Sequence, residues 1–356
     1  MASDPQVQRE ELGTQRRRVD FDTYDVTVDE ILRRTGKERI EIAPIYQRQF
    51  RWDATRQSRL IESVMLGIPV PPLFMATNAA ENVTTQWEVV DGLQRLLTLV
   101  NFAGDSIARR VAKLDQHPPL KLTELEKLRS FNSCTFDDLP SDIRSAFEDR
   151  PMKVVVLNDK SDLQVRFDLF ERLNTGGVRL TDQEIRECVY RGEFIDLLTE
   201  LADLESFKTV VRLPERTWKD GTPQEFALRY FAFLENRHKF VHSVVGFLNE
   251  FTETATLAPR RAQRRTEFTR TFDFLAQCLP DGLKTRKGQT PVNLFEAVAV
   301  GAALALREHE LRPAEIDMSW LTSAELRSYV TGATNSRRRV AERVEYCRDK
   351  FLSVNA

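Results

Sequence analysis

The sequence predicts an α+β fold in two parts, a small mixed sheet with helices before residue 190 and an all-helical domain after it. Two patterns carry this expectation. Before residue 190, short apolar runs bounded by turn residues, such as Lys153–Leu157 (KVVVL) and Trp87–Val90, alternate with stretches of helical period. Beyond it, every apolar pattern repeats with the 3.6-residue period of a helix. Length agrees, because 356 residues exceed the ~250 at which a single core stops growing. The expected organisation is a mobile leader over 1–20, rich in alternating charge, a sheet-containing domain over 21–190 and a helical domain over 191–356.

The elements follow in order. Arg39–Ile45 alternates Ile40 and Ile42 with polar neighbours and reads as a strand running into a turn at Pro44. Asp53 caps a helix striped by Leu60, Ile61, Val64 and Met65, which Gly67 and the prolines after it end. Leu73–Ala76 and Trp87–Val90 are strands joined across a polar connection, and the second stops at Asp91-Gly92, where a helix with Leu96, Leu97, Leu99, Val100 and Phe102 begins. A polar, weakly helical insertion fills 105–150 before the buried strand Lys153–Leu157. Ser161–Asn174 is helical, and Thr181-x-x-Glu184 is a capping box that opens another helix. Helical stripes then recur around Phe226–Phe233, Val244–Phe251, Phe268–Leu279, Val292–Leu306 and Ser336–Phe351; the last places Val340, Val344, Cys347 and Phe351 on one face, with Arg343 largely elsewhere.

Composition excludes several classes. Hydrophobic residues at 41% and charged residues at 30% supply cores and a charged surface, which no low-complexity chain does. The longest apolar run, Ala297–Leu306, falls short of the ~18 residues of a membrane span, and the first residues lack the apolar core of a secretory signal. A cytoplasmic protein with no membrane partner is expected. Cys134, Cys188, Cys278 and Cys347 are too scattered for a zinc site and read as free thiols. His238 and His242 have the spacing of a metal pair on a helix but no third ligand, so surface histidines are the plainer reading. A net charge of −2 argues against binding nucleic acid by bulk electrostatics, so any polyanion contact is local, at Arg260, Arg261, Arg264 and Arg265 or at Arg337, Arg338 and Arg339. Either cluster also reads as a solvated helix face or a surface for an acidic partner protein.

The chemistry concentrates at WEVVDGLQRLLTL. A strand ending in Asp91-Gly92 and feeding a helix lets backbone approach a ligand at Gly92 and leaves first-turn amides for an anion. Asp91 can hold a divalent metal or a water, and Gln94 and Arg95 offer donors to phosphate oxygens; a plain helix cap at Asp91 is the alternative. In IAPIYQRQFRW, Tyr46, Gln47, Arg48, Arg51 and Trp52 gather large polar side chains after a strand, although Phe50 and Trp52 also suit a pin between strand and helix. In FERLNTGGVRLTDQEIR, the loop from Asn174 to Gly177 offers backbone amides between Arg172 and Arg179, or a simple helix connection.

Together YQRQFRW, RLIESVMLGIPVPPLF, VVDGLQRLLTL and FERLNTGGVRLTDQEIR resemble the DGQQR-motif N-terminal domain of GmrSD-type modification-dependent restriction enzymes, over roughly residues 25–190. The resemblance implies a ParB/sulfiredoxin-like fold that binds a nucleoside triphosphate, with Mg2+, and often hydrolyses it in defence against phage or foreign modified DNA. By motif position it points to Tyr46, Gln47, Arg48, Gly92, Arg95 and Asn174 for nucleotide and phosphate, and to Asp91 and Gln94 for catalysis. Two departures qualify this. Leu93 stands where the family usually has a first glutamine, which puts hydrolysis in doubt while binding survives. The helical half also lacks the histidine-centred motif of the nuclease found in fused relatives, so an effector protein acting separately, or a non-hydrolytic DNA-binding or adaptor role, becomes an expectation.

Overall fold

The computed structural model describes residues 5–9, 20–42, 52–78, 86–158, 167, 169, 172, 181–284, 288–332 and 335–353. The chain divides into two compact units, Met1–Arg179 and Leu180–Ala356. The helix opened by Thr181 falls in the second unit, where it packs among the later helices. Of the leader, residues 5–9 are helical and exposed.

The first unit is built on a five-stranded mixed sheet of order β1-β5-β3-β4-β2. Its strands are β1 (Phe21–Thr27), β2 (Ile40–Glu41), β3 (Leu73–Asn78), β4 (Gln86–Asp91) and β5 (Pro151–Leu157). β1 runs antiparallel to β5 and β3 antiparallel to β4, whereas β3 with β5 and β2 with β4 are parallel. β4 is buried along its length because it has a strand on either side and cover on both faces; even Glu88 is only 3% exposed. The helices are α1 (Val28–Gly36), α2 (Ala54–Leu66), α3 (Leu93–Ala103), α4 (Ser106–Val111) and α5 (Ser141–Glu148). α2 starts where Asp53 accepts the Arg56 amide at 2.8 Å and stops at Gly67 in the left-handed region, where the Arg150 guanidinium reaches back to the Met65 carbonyl at 3.0 Å.

Three expectations shift. Among the described residues of the predicted strand 39–45, Ile40 and Glu41 pair, and residues 43–51 lie outside the described residues. β1 and α1 carry no strand or helix expectation from the sequence, because β1 is an edge strand exposing Phe21 and Tyr24 and shows no clean alternation. Of the helix expected over Ser161–Asn174, residues 167, 169 and 172 are described as helical, with Phe167 buried.

The second unit is helical: α6 (Asp182–Val189), α7 (Glu193–Ala202), α8 (Glu205–Val210), α9 (Thr222–Asn236), α10 (Val244–Leu257), α11 (Arg261–Cys278), α12 (Val292–Glu308), α13 (Ala324–Val330) and α14 (Arg337–Leu352). Among the described residues its one β contact is the isolated bridge Val211–Leu283. Phenylalanines fill the core, with Phe268 and Phe272 4.2 Å apart between centroids and Phe207, Tyr230 and Phe295 packed on them. The apolar run of α12 is buried in this bundle. A Cβ at Gly301 would meet the Cβ of Cys347 at 2.7 Å, so glycine is what lets α12 and α14 approach so closely. Among the described residues no helix is long and apolar enough to cross a membrane.

Candidate functional site

The Asp91–Arg95 junction is shaped by a bulge. Asp91 pairs with Phe74, but Val89 pairs with Met75, so one residue of β4 is left over just before the strand ends. Bulges of this kind bend a strand and re-aim its last side chains. Gly92 follows at φ 95°, a region only glycine enters without strain, and opens α3 with no side-chain cap. A Cβ there would lie 2.6 Å from Leu73 Cδ2 and 2.9 Å from Arg95 Nη2, so the Arg95 guanidinium is folded directly over the bare glycine.

Arg95 Nη2 donates to Asp91 Oδ2 at 2.6 Å, with the arginine side chain 12% exposed and the carboxylate 35%. The Arg95 Nε is buried without a hydrogen-bond partner. A buried donor left unmade costs about 1–3 kcal/mol, so the junction is half satisfied as it stands. The carboxylate and guanidinium that the sequence assigned to metal and phosphate thus hold one another. Gln94 is engaged as well: its Oε1 accepts the Trp52 amide at 3.1 Å, which pins the chain entering α2 to the start of α3.

A polar relay that the sequence reading missed stands behind this pin. Gln57 Nε2 donates to the Trp52 carbonyl at 2.8 Å, and its Oε1 accepts from Asn101 Nδ2 at 2.9 Å. Arg109 donates to the Asn101 side chain and to the carbonyls of Asn101, Leu114 and His117. The signal lay in plain sight, since Gln57 sits on the stripe of Leu60, Ile61 and Val64 and Asn101 on that of Leu97, where an apolar residue is the default. Leu93, at the departure from the family pattern, is half-buried. Tyr46, Gln47, Arg48 and Asn174 lie outside the described residues.

For the helical unit the structure separates what the sequence grouped. Arg261 and Arg265 both pair with Glu200, at 2.7 and 2.8 Å. Arg264 is buried, forks onto Glu235 at 2.8 and 3.0 Å and lies over the Phe194 ring. Arg338 and Arg339 share Glu342, while Arg337 is exposed. The placement of Arg343 away from the core is overturned: it is 1% exposed and paired with the equally buried Glu296, which gives its charge a partner inside the bundle. His238 and His242 do not share a helix, because the short 3₁₀ turn Arg237–Lys239 ends between them. Among the described residues no three His, Cys, Asp or Glu side chains converge as a metal cluster.

Comparisons with known proteins meet this geometry at one place. Residues 29–191 match the family described as the GmrSD restriction endonuclease, N-terminal domain. No curated protein matches the chain. Among solved structures, a Pnob8-like ParB-N domain aligns over 95% of this chain and 99% of its own at 12% identity, with a TM-score of 0.23. The matched stretch contains the whole Asp91–Arg95 junction and runs on through α6, and residues 29–191 of this chain are a GmrSD-type N-terminal domain.

Proposed function

We propose that this chain is a restriction-related defence protein that binds a nucleoside triphosphate at the Asp91–Arg95 junction and uses the bound nucleotide as a sensor or switch. The observation that carries the reading is the junction itself. An uncapped helix start at a left-handed glycine presents backbone amides and the positive end of α3. Beside it Arg95, its Nε unpartnered, has a donor to give to a phosphate oxygen without first surrendering Asp91. Asp91 is the carboxylate that would hold Mg2+, an ion proteins bind through one or two carboxylates together with substrate phosphates. A bound nucleotide with its metal supplies the phosphoanhydride; the chain orients it through Gly92, Arg95 and the helix amides. Tyr46, Gln47, Arg48 and Asn174 join the proposal by motif position, and modified or foreign DNA and a separate effector are the partners that go with it.

One observation favours a non-hydrolytic adaptor: Gln94, the remaining glutamine of the motif, spends its carbonyl oxygen on Trp52. Phosphate release by the purified chain with ATP, GTP, CTP and UTP separates the two. Release with one of them, lost in Asp91→Ala, supports a hydrolase; binding without release supports the adaptor.

A further inference from the structure

The helical unit carries a groove that draws Arg260 and Arg264 from the first basic cluster and adds Lys239, Arg270 and Arg307, which lie outside both clusters. Two adjoining cavities of about 410 and 690 Å3 run along α11 and share Gln263, Glu267 and Arg307. Their walls hold two carboxylates, and each is already occupied: Glu235 by the buried fork of Arg264 and Glu267 by Arg307. Three further cations line the same walls, Lys239 and Arg260 in one cavity and Arg270 in the other. All three are exposed, and their side chains make no hydrogen bond or ion pair among the described residues. Five cations against two carboxylates give the groove an excess of positive charge on a chain whose net charge is −2. Arg260, Gln263, Glu267 and Arg270 follow one another at helical spacing, so the free cations flank one stripe of α11. From Arg260 to Arg270 the helix rises about 15 Å, the axial length of about four successive phosphates in one strand of a duplex.

We propose that this groove binds the phosphate backbone of a nucleic-acid strand, with Lys239, Arg260 and Arg270 as the phosphate contacts. The groove offers no aromatic platform, and Phe251, its one ring, is buried; contact is therefore to backbone, without preference for sequence. Charge complementarity selects this occupant, because a groove with spare cations and no spare carboxylate repels a basic partner and attracts a polyanion. The site is separate from the nucleotide junction and stands or falls independently of it.

The test is fluorescence anisotropy of a labelled oligonucleotide, single-stranded and duplex, titrated with the full chain between about 50 and about 200 mM salt. The variant Arg260→Gln/Arg270→Gln, both positions exposed, should keep the wild-type unfolding midpoint, weaken binding about tenfold at low salt and flatten the log-log salt slope by about 2. Arg95→Ala should leave this binding unchanged, and Lys239→Gln should weaken it by itself. The proposal is overturned if the wild type fails to bind either oligonucleotide at low salt, or if the double variant binds with unchanged affinity and slope. It is also overturned if Arg337→Gln/Arg338→Gln carries the loss instead, or if labelled polyglutamate binds the groove more tightly than either oligonucleotide.

Discussion

Two arginine–carboxylate arrangements in this chain share a chemistry and differ in how deeply the carboxylates are buried and how many arginines each one takes. In the helical unit, Arg186, Glu225, Arg229, Glu296 and Arg343 alternate in sign from α6 through α9 and α12 to α14. Glu225 takes both Arg186 and Arg229, and Glu296 takes both Arg229 and Arg343. Burial alone would push the Glu225 carboxyl up, but Arg229 and Arg186 hold it below the usual carboxylate range. In the sheet unit, Arg95 has one partner, Asp91, which is a third exposed, and keeps an unpartnered Nε beside bare backbone. The ladder holds four helices together deep in a core, whereas the junction pair has a partly exposed carboxylate. The same residue types thus serve structure where the carboxylates are buried and every oxygen is taken, and stand beside bare backbone where the carboxylate is partly open to solvent.

That contrast can be broken at its strongest point first. Glu296→Ala takes a buried carboxylate away from both Arg229 and Arg343, and should destabilise the chain by about 3–5 kcal/mol in chemical unfolding. Replacing Glu296 and Arg343 together by leucine and methionine should recover most of that loss, because two apolar groups of similar volume need no partners. A Glu296→Ala variant as stable as wild type would show that the ladder is incidental.

Gly92→Ala comes next. The positive φ and the 2.6 Å approach to Leu73 both oppose a side chain, so unfolding should become easier by about 1–3 kcal/mol, and nucleotide binding should fall as Arg95 is displaced. Leu93→Gln should matter least to stability, within about 0.5 kcal/mol, since Leu93 is half-buried in the first helical turn. Phosphate release should rise or stay level. A large loss of either would make Leu93 a packing residue of this chain.

A pH series sharpens the helical side of the comparison. Glu187 on α6 is pushed up to about 7 by burial, helped by the neighbouring Glu184 and opposed by a hydrogen bond from Gln183. An acid whose folded value lies above its unfolded one binds its proton more tightly in the native state, so stability rises as pH falls from about 7 towards the ordinary carboxylate range and is lost as pH rises through it. Thermal unfolding should show Glu187→Gln gaining on wild type as pH is raised from 5.5 to 8. Parallel curves for the two would remove Glu187 from the pH response.

Legibility in the sequence followed burial. The cap at Asp53, the capping box at Thr181 and Glu184, and the strand-to-helix turn at Asp91-Gly92 were readable because each is local and its residues have one main use. β1 was not, because an exposed edge strand has no apolar face to announce it. Arg264 and Arg343 looked like surface charge because helical spacing says nothing about a partner brought from another helix; Glu235 and Glu296 are what permit their burial. The junction's residues were named correctly as neighbours, but their mutual ion pair and the use of Gln94 on Trp52 depend on a bulge and a tertiary contact that no one-dimensional pattern carries.

The most direct test of the junction is calorimetric titration of ATP, GTP, CTP and UTP into the wild type and into Arg95→Ala, with unfolding midpoints recorded for both. One nucleotide should bind the wild type and show no detectable binding to the variant, whose midpoint stays close to wild type because Arg95 gives up a single ion pair with a partly exposed carboxylate. Equal affinity in the two proteins, or no binding of any nucleotide to the wild type, would contradict the assignment of this junction as a nucleotide site.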